Sequence, residues 1–311
     1  RNRWMRMDLS IIIVNWNAGA FLPGCLESIK SSLFRAQYEV ILVDNASTDG
    51  SIAVAQKRFP KTVIIENPDN LGFAAAVNQG IRVSSGKYIL LLNPDTVLSP
   101  DTLQVMWDFM EKNKECGVAG CRVLNPDGTL QLACRRNIPT PMDALYRFVG
   151  LSKLFPNSPR FSRYNLTYLP EDRLAAVDAV SGAFLMIRRD VVEQIGLLDE
   201  RFFMYGEDLD LCLRAKKAGY AVFYVPDTSI IHYHGQSSRQ RPVKATVDFH
   251  VSMLLFYNKH YGSAMKPFIV LGIYLKLALS LVRCIFTTGG TPTRAAPEDY
   301  SGQARNIGGS S

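Results

Sequence analysis

The stretch Leu9-Ser10-Ile11-Ile12-Ile13-Val14, running into Asn15-Trp16-Asn17-Ala18-Gly19, decides the fold. A β-branched run without polar alternation describes a strand buried on both faces. Asn and Gly then supply turn chemistry. Leu22, Cys25, Leu26 and Ile29 follow at helical spacing. The unit repeats. Residues 39–43 form a second apolar run that ends in Asp44-Asn45-Ala46-Ser47-Thr48-Asp49-Gly50, with a helix over 53–59 and a third strand at 63–65. A helix over 73–83 leads to a fourth strand at 88–92. Strands apolar throughout and alternating with helices predict an α/β fold: a mostly parallel sheet covered by helices on both faces. Ligands in such sheets sit beyond the carboxyl ends of the strands. The polar clusters at 15–17, 44–49 and 93–96 all lie there.

Farther along, residues 135–172 are rich in Pro and Arg with weak periodicity and read as a long mobile insertion. Strand-like sequence returns at 177–187, a helix is expected over 207–219, and a strand over 221–225 leads to His232-Tyr233-His234. A helical stretch at 247–261 and an apolar segment at 267–286 follow. The Gly/Thr/Ser/Pro-rich end, 287–311, is expected to be disordered.

Hydrophobic residues make up 47% and charged residues 20%, a balance that excludes global disorder. The net charge of +7 is concentrated at 235–285, where seven Lys or Arg face a single Asp. Such a window suits an anionic surface, or simply a solvated helical face. The six cysteines form no CxxC pair and several sit in apolar runs, so they read as reduced intracellular thiols. The apolar run after the basic residues 1–7 is too short for the core of a secretory signal.

No GxGxxG follows the first strand, and neither a P-loop nor a GxSxG elbow is present. What remains is a set of loop acids and a histidine. Asp95, in Asn93-Pro94-Asp95-Thr96, could hold a hard cation that bridges diphosphate oxygens, or could simply cap the next helix. Asp44 could accept a hydrogen bond from a base or ribose, or could close an Asx-turn with Ser47. Trp16 could stack on a base or plug an interface. Glu207, Asp208 and Asp210 crowd a helix start, where the dipole favours acids, and Asp210 with Arg214 reads as a surface pair at i, i+4. His232 ends a strand, as a metal ligand or as a structural residue.

Taken in order, six stretches resemble the family-2 glycosyltransferases with the GT-A fold. They are residues 10–17, Val43-Asp44-Asn45-Ala46-Ser47-Thr48-Asp49-Gly50, Asn70-Leu71-Gly72-Phe73, Leu91-Leu92-Asn93-Pro94-Asp95-Thr96, Gly182-Ala183-Phe184-Leu185 and Phe203-Met204-Tyr205-Gly206-Glu207-Asp208-Leu209-Asp210. The likeness is to the bacterial rhamnosyltransferase-like branch that builds cell-surface polysaccharides. It implies a GT-A, Rossmann-like domain at 8–236, with a nucleotide-sugar half at about 8–100 and an acceptor half at about 101–236. A basic helical extension at 237–286 and the tail at 287–311 complete the chain.

The resemblance also implies roles. Asp44 takes the N3–H of a pyrimidine, in a base pocket lined by Trp16 and the backbone of Val14 and Asn15. Asn70 and Gly72 lie in a stretch without arginine, so phosphate contacts there fall to backbone amides. Asp95 is the acid of an Asp-x-Asp metal motif and His232 a second ligand, for Mg²⁺ or Mn²⁺. Asn93 stands where many members carry aspartate; it can reach a ribose hydroxyl but adds no charge. Asp208 is the general base, and Glu207 and Gly182 position the acceptor and its loop. The implied reaction is inverting transfer from a dTDP-sugar, with rhamnose preferred, or from a UDP-sugar to a saccharide hydroxyl, on a lipid-linked acceptor. The implied location is cytoplasmic, peripheral on the inner membrane surface, and no nucleic acid is expected as a partner. Residues 267–286 are long enough to span a bilayer at about 30 Å. Lys276 near their middle and the stripe Gly272, Lys276, Ser280, Arg283 favour a helix lying in the interface instead. Two alternatives stay open: a nucleotidyltransferase that makes the activated sugar, and a non-catalytic sugar- or lipid-binding module on the same frame.

Overall fold

The computed structural model describes residues 7–233, 240–261, 270–278 and 280. Strands β1 (Leu9–Asn15), β2 (Tyr38–Asp44), β3 (Val63–Glu66) and β4 (Tyr88–Leu92) run parallel in the spatial order β3-β2-β1-β4. Helices α1 (Phe21–Lys30), α2 (Ser51–Arg58) and α3 (Phe73–Val83) connect them. Every residue of β1 and β4 is buried, so the sheet is covered on both faces, as the unbroken apolar runs predict. Each such side chain contributes roughly 1.5–3 kcal/mol when removed from water.

The sheet continues without a break through the second half of the chain. After β5 (Thr96–Leu98) and α4 (Thr102–Lys112) comes β6 (Cys116–Leu124). Then β10 (Phe184–Arg188) runs antiparallel between β4 and β6, and β11 (Ala221–His232) lies parallel to β6. Both β5 and β8 (Ala175–Val177) pair antiparallel with β11. Six of the nine strands share one direction, so the sheet is mixed but mostly parallel. β6 is weakly signalled in the sequence because two glycines interrupt it. A Cβ at Gly120 would come within 2.6 Å of the Val180 side chain, in β9 (Ala179–Val180), so close packing requires the glycine.

Residues 135–172 are not a structureless insertion. β7 (Arg135–Arg136) pairs with β9, and α5 (Pro141–Phe148) and α6 (Leu151–Leu154) follow. Thr140 and Asp143 form a capping box with Pro141 at the first helical position, a start signal that the weak periodicity obscures.

Beyond α7 (Arg189–Ile195) and α8 (Glu207–Lys217), α9 (Pro242–His260) is the longest described helix and belongs to the body. Asp210, fully buried on α8, accepts hydrogen bonds from Arg214 Nε at 2.8 Å, Lys259 Nζ at 2.7 Å and His260 Nε2 at 2.7 Å. The expected surface pair with Arg214 is therefore the centre of a buried joint between α8 and α9. Tyr261 Oη adds a 2.7 Å bond to the Pro139 carbonyl. Residues 270–278 are helical, and among the described residues no helix is long and apolar enough to cross a membrane. His234, the remainder of 262–286 and the tail at 287–311 lie outside the described residues. The five described cysteines are free and buried.

Candidate active site

A cavity of about 280 Å³ opens beyond the carboxyl ends of β1 and β4. Val14 and Trp16 come from the end of β1, Asn70 and Gly72 from the loop before α3, and Asn93 and Asp95 from the loop after β4. His232 comes from the end of β11, Arg241 from the residue just before α9, and Lys244 from the first turn of α9. A second recess, of about 430 Å³, lies at the opposite end of the strands. Its Arg188 and Arg189 are spent on the carbonyls of Cys116 and Gly86.

Antiparallel pairing sets His232 opposite Thr96 and so brings it beside Asp95. Asp95 Oδ1 lies 3.2 Å from His232 Nε2, and Asn93 Nδ2 is also 3.2 Å from that nitrogen. Both side chains are largely buried. Gln131 fixes the imidazole: its Nε2 donates to the His232 carbonyl at 2.7 Å, and its Oε1 faces His232 Nδ1 at 2.9 Å. An amide oxygen only accepts, so Nδ1 donates to Gln131 and Nε2 is the ring nitrogen turned toward Asn93 and Asp95. A carboxylate oxygen and an imidazole held from behind suit Mg²⁺ or Mn²⁺. Among the described residues no group of three or more such ligands occurs, so donor phosphates and water would have to complete a coordination shell. Gln131 carries no signal in the sequence.

Asp44 lies behind the wall. Its Oδ1 accepts from Asn15 Nδ2 at 2.9 Å and Ser47 Oγ at 2.6 Å, and its Oδ2 from the Ser47 amide at 2.9 Å. The Asx-turn is thus formed, and it leaves Oδ2 with one further lone pair. Asn15 Nδ2 also reaches Ser47 and Ser51, tying β1 to the loop after β2. Asn45, next to Asp44, is the residue of that loop on the cavity wall.

Of the backbone amides of residues 70–73, two already have partners in the protein. The Gly72 amide donates to Asn70 Oδ1 at 3.0 Å, and the Phe73 amide to the Phe203 carbonyl at 2.7 Å. Gly72 has φ +89°, and a Cβ there would fall 2.7 Å from the Phe203 oxygen, so no larger residue fits. The cavity's positive charge comes instead from α9. The Arg241 guanidinium lies 4.9 Å from the centre of the Trp16 ring, and Lys244 Nζ lies 3.8 Å from that of Phe203 while bonding Asp248 at 2.7 Å. The basic window predicted a surface; two of its exposed residues also line the cavity.

Asp208, Glu207 and Gly182 form a second layer next to the wall. A Cβ at Gly182 would lie 3.9 Å from Asp208 Oδ2 and 4.0 Å from Phe73, which lines the cavity. Asp208 Oδ2 accepts from Arg136 Nη2 at 2.5 Å and from the Gly182 amide at 3.1 Å, while Oδ1 accepts the Leu209 amide at 2.7 Å. Burial works against the Arg136 charge, but the attraction of Asp208 outweighs it and holds the guanidinium above its ordinary range. Glu207 behaves oppositely. Burial, reinforced by the Asp208 charge, pushes its carboxyl up to about 8, and its Oε2 is buried without a hydrogen-bond partner. Glu207 is therefore held largely neutral at pH 7, beside the Arg136–Asp208 ion pair. The Arg135-Arg136 pair in the insertion was visible in the sequence, but nothing local aimed it at Asp208.

Residues 10–196 match the family model described as glycosyl transferase family 2, and the chain belongs to that family. It is a glycosyltransferase on a GT-A-type α/β fold, and this membership removes the nucleotidyltransferase alternative. The chain is 29% identical over 272 residues to the N-acetylglucosaminyl-diphospho-decaprenol L-rhamnosyltransferase of Mycobacterium tuberculosis, covering 83% of this chain and 87% of that one. It is 30% identical over 166 residues to the rhamnosyltransferase WbbL of Escherichia coli K12, covering 53% and 59%. Its fold is similar to that of the mannosyltransferase PcManGT from Pyrobaculum calidifontis, solved with GDP-Man and Mn²⁺. The TM-score is 0.59 at 18% identity, over 92% of this chain and 77% of that one.

Proposed function

We propose that the chain transfers a sugar, with inversion, from a dTDP- or UDP-linked donor to a hydroxyl of a lipid-linked saccharide at the cytoplasmic face of the cell membrane. The names of its relatives favour rhamnose as the sugar and a polyprenol-linked acceptor. The observation that carries the reading is the meeting of Asp95 and His232 at 3.2 Å on the wall of a cavity beyond the strand ends. These two residues would hold a divalent cation, which neutralises charge on the leaving diphosphate when bound.

The remaining steps fall to side chains. Asp44 Oδ2 accepts the imide N–H of the pyrimidine through its spare lone pair, and Trp16 stacks on the ring once Arg241 swings from it to the diphosphate. Asn93 meets the ribose. Asp208 takes the acceptor proton on Oδ1, which carries only the Leu209 amide, as the acceptor oxygen attacks the anomeric carbon. The bond from that carbon to the diphosphate oxygen breaks, its electron pair leaves with the nucleotide, and one displacement inverts the centre. Arg136 and the Gly182 amide hold Asp208 in place through Oδ2. Glu207 and Gly182 position the acceptor loop.

Thermal unfolding with UDP, dTDP, GDP and ADP, each with and without Mn²⁺, tests this. Selective binding stabilises a fold by about 2.7 kcal/mol at a hundredfold excess over Kd. UDP or dTDP should stabilise, more so with Mn²⁺, and Asp95→Ala should lose the Mn²⁺ increment while remaining folded. Equal stabilisation by ADP, or an unchanged increment in Asp95→Ala, would refute the assignment.

A further inference from the structure

Helix α5 turns its apolar stripe outward. Met142, Leu145, Phe148 and Val149 are 49, 48, 52 and 56% exposed, and their spacing places them along one side of the helix. Leu154 and Phe155, at the end of α6, extend the patch at 70 and 45% exposure. The polar residue Asp143 is the one that points inward, where Arg163 bonds it at 2.8 Å. This is the reverse of a helix packed on a core.

The charge carried by α5, α6 and the residues just after them is of one sign. Residues 141–170 carry Arg147, Lys153, Arg160 and Arg163, and their sole acid is the buried Asp143. Arg147, Lys153 and Arg160 are exposed. The helix at 270–278 carries a stripe of the same kind, with Leu271, Tyr274 and Leu275 each more than half exposed at i, i+3, i+4.

We infer that α5 and α6 form a surface that lies on an anionic lipid bilayer, apolar side chains among the acyl chains and Arg147, Lys153 and Arg160 at the headgroup phosphates. Short amphipathic helices with basic flanks bind in this way, through buried apolar area and attraction to anionic lipid together. A second copy of the chain is a poor occupant, because it would bring the same cations to the same face. The inference rests on the reading of the acceptor as lipid-linked and adds where the enzyme meets it. Arg136, the partner of Asp208, lies at the start of the insertion, so the docked face and the acid pair are joined by one short strand and a helix cap.

The test is co-sedimentation of the full chain with phosphatidylcholine vesicles, with and without about 30% phosphatidylglycerol as the anionic component. Four proteins are compared: wild type, Leu145→Ser/Phe148→Ser, Arg147→Glu/Lys153→Glu, and a control reversal at exposed positions elsewhere, Lys57→Glu/Lys61→Glu. Wild type and control should prefer the anionic vesicles. The apolar variant should bind at least about tenfold more weakly, and the charge variant about 25-fold. Stabilisation by UDP or dTDP should be unchanged in all four. If that stabilisation is missing throughout while vesicle binding follows the expected order, the pyrimidine-donor reading fails and the surface stands. The surface is refuted if both insertion variants bind as wild type, if wild type ignores phosphatidylglycerol, or if the control loses as much as the charge variant. It is also refuted if the apolar variant keeps vesicle binding and loses self-association in sedimentation velocity.

Discussion

Replacing Glu207 with glutamine should raise stability at neutral pH and leave it almost unchanged in acid. In the native protein burial and the Asp208 charge push this carboxyl from 4.5 to about 8. The unfolded chain ionises it at its ordinary value. Between those two values the native state therefore holds a proton that the unfolded state has released, so stability falls as pH rises. The contribution is fully present below pH 4.5 and is lost on the way to about pH 8. At pH 7 the loss has an upper bound of roughly 3 kcal/mol, from about 1.4 kcal/mol per unit over the two to three units separating pH 7 from the unfolded value. Glutamine is neutral at every pH and near in shape, and Oε2 has no partner to lose. The gain at pH 7 should approach that bound, on the order of 5 °C in Tm for a chain of this size. Thermal unfolding of both proteins at half-unit steps from pH 5 to 8.5 is the assay, with curves that converge in acid and part toward pH 8. In an Asp208→Asn background the divergence should shrink, because one of the two causes is gone. Parallel curves across the range would refute the argument, since Glu207 would then not titrate where its burial puts it.

Asp208→Asn should lower kcat by about 10²–10⁴-fold with donor Kd unchanged, as loss of a general base predicts; normal turnover would move the role elsewhere. Asp210→Asn, by contrast, should leave chemistry alone and destabilise by about 3 kcal/mol, because it strips a buried carboxylate from three donors, and equilibrium urea unfolding measures it. Arg241→Ala with Lys244→Ala should weaken UDP or dTDP binding at least about tenfold, at about 1.4 kcal/mol per factor of ten, while the parent nucleosides bind as before. Calorimetry with both ligand types separates a diphosphate contact from general damage.

The first half of the sheet was legible because its strands are short, apolar and bounded by Asn, Asp or Gly, so composition alone marks where each begins and ends. β4 and α3 have the limits the pattern gives. β6 was hidden by its glycines, and β5 is three residues long, too short for any periodicity. In the site, the loop acids could be named because they follow buried strands. Their partners could not. Gln131 meets His232 across 101 positions and Arg136 meets Asp208 across 72, and no local pattern encodes an approach of that kind. Asp210 was misjudged for the same reason: the i, i+4 arginine is visible in the sequence, whereas Lys259 and His260 arrive on another helix.

The register of β5 against β11 also sets a timetable. Asn93 and His232 are 139 positions apart, and the strand that carries the histidine is the last in the sheet. At about 5–20 residues per second, a ribosome needs roughly 7–28 s to make the stretch between them. Throughout that interval the nascent chain already has the loop that carries Asp95 and the turn around Asp44, but no imidazole to set beside the carboxylate. Contacts so distant in sequence form late, after loop closure has been met. A partly made chain thus has half of the proposed cation site and cannot assemble the other half before β11 docks. The two halves meet in one step, and a premature stop before residue 232 should yield an inert product rather than a leaky one.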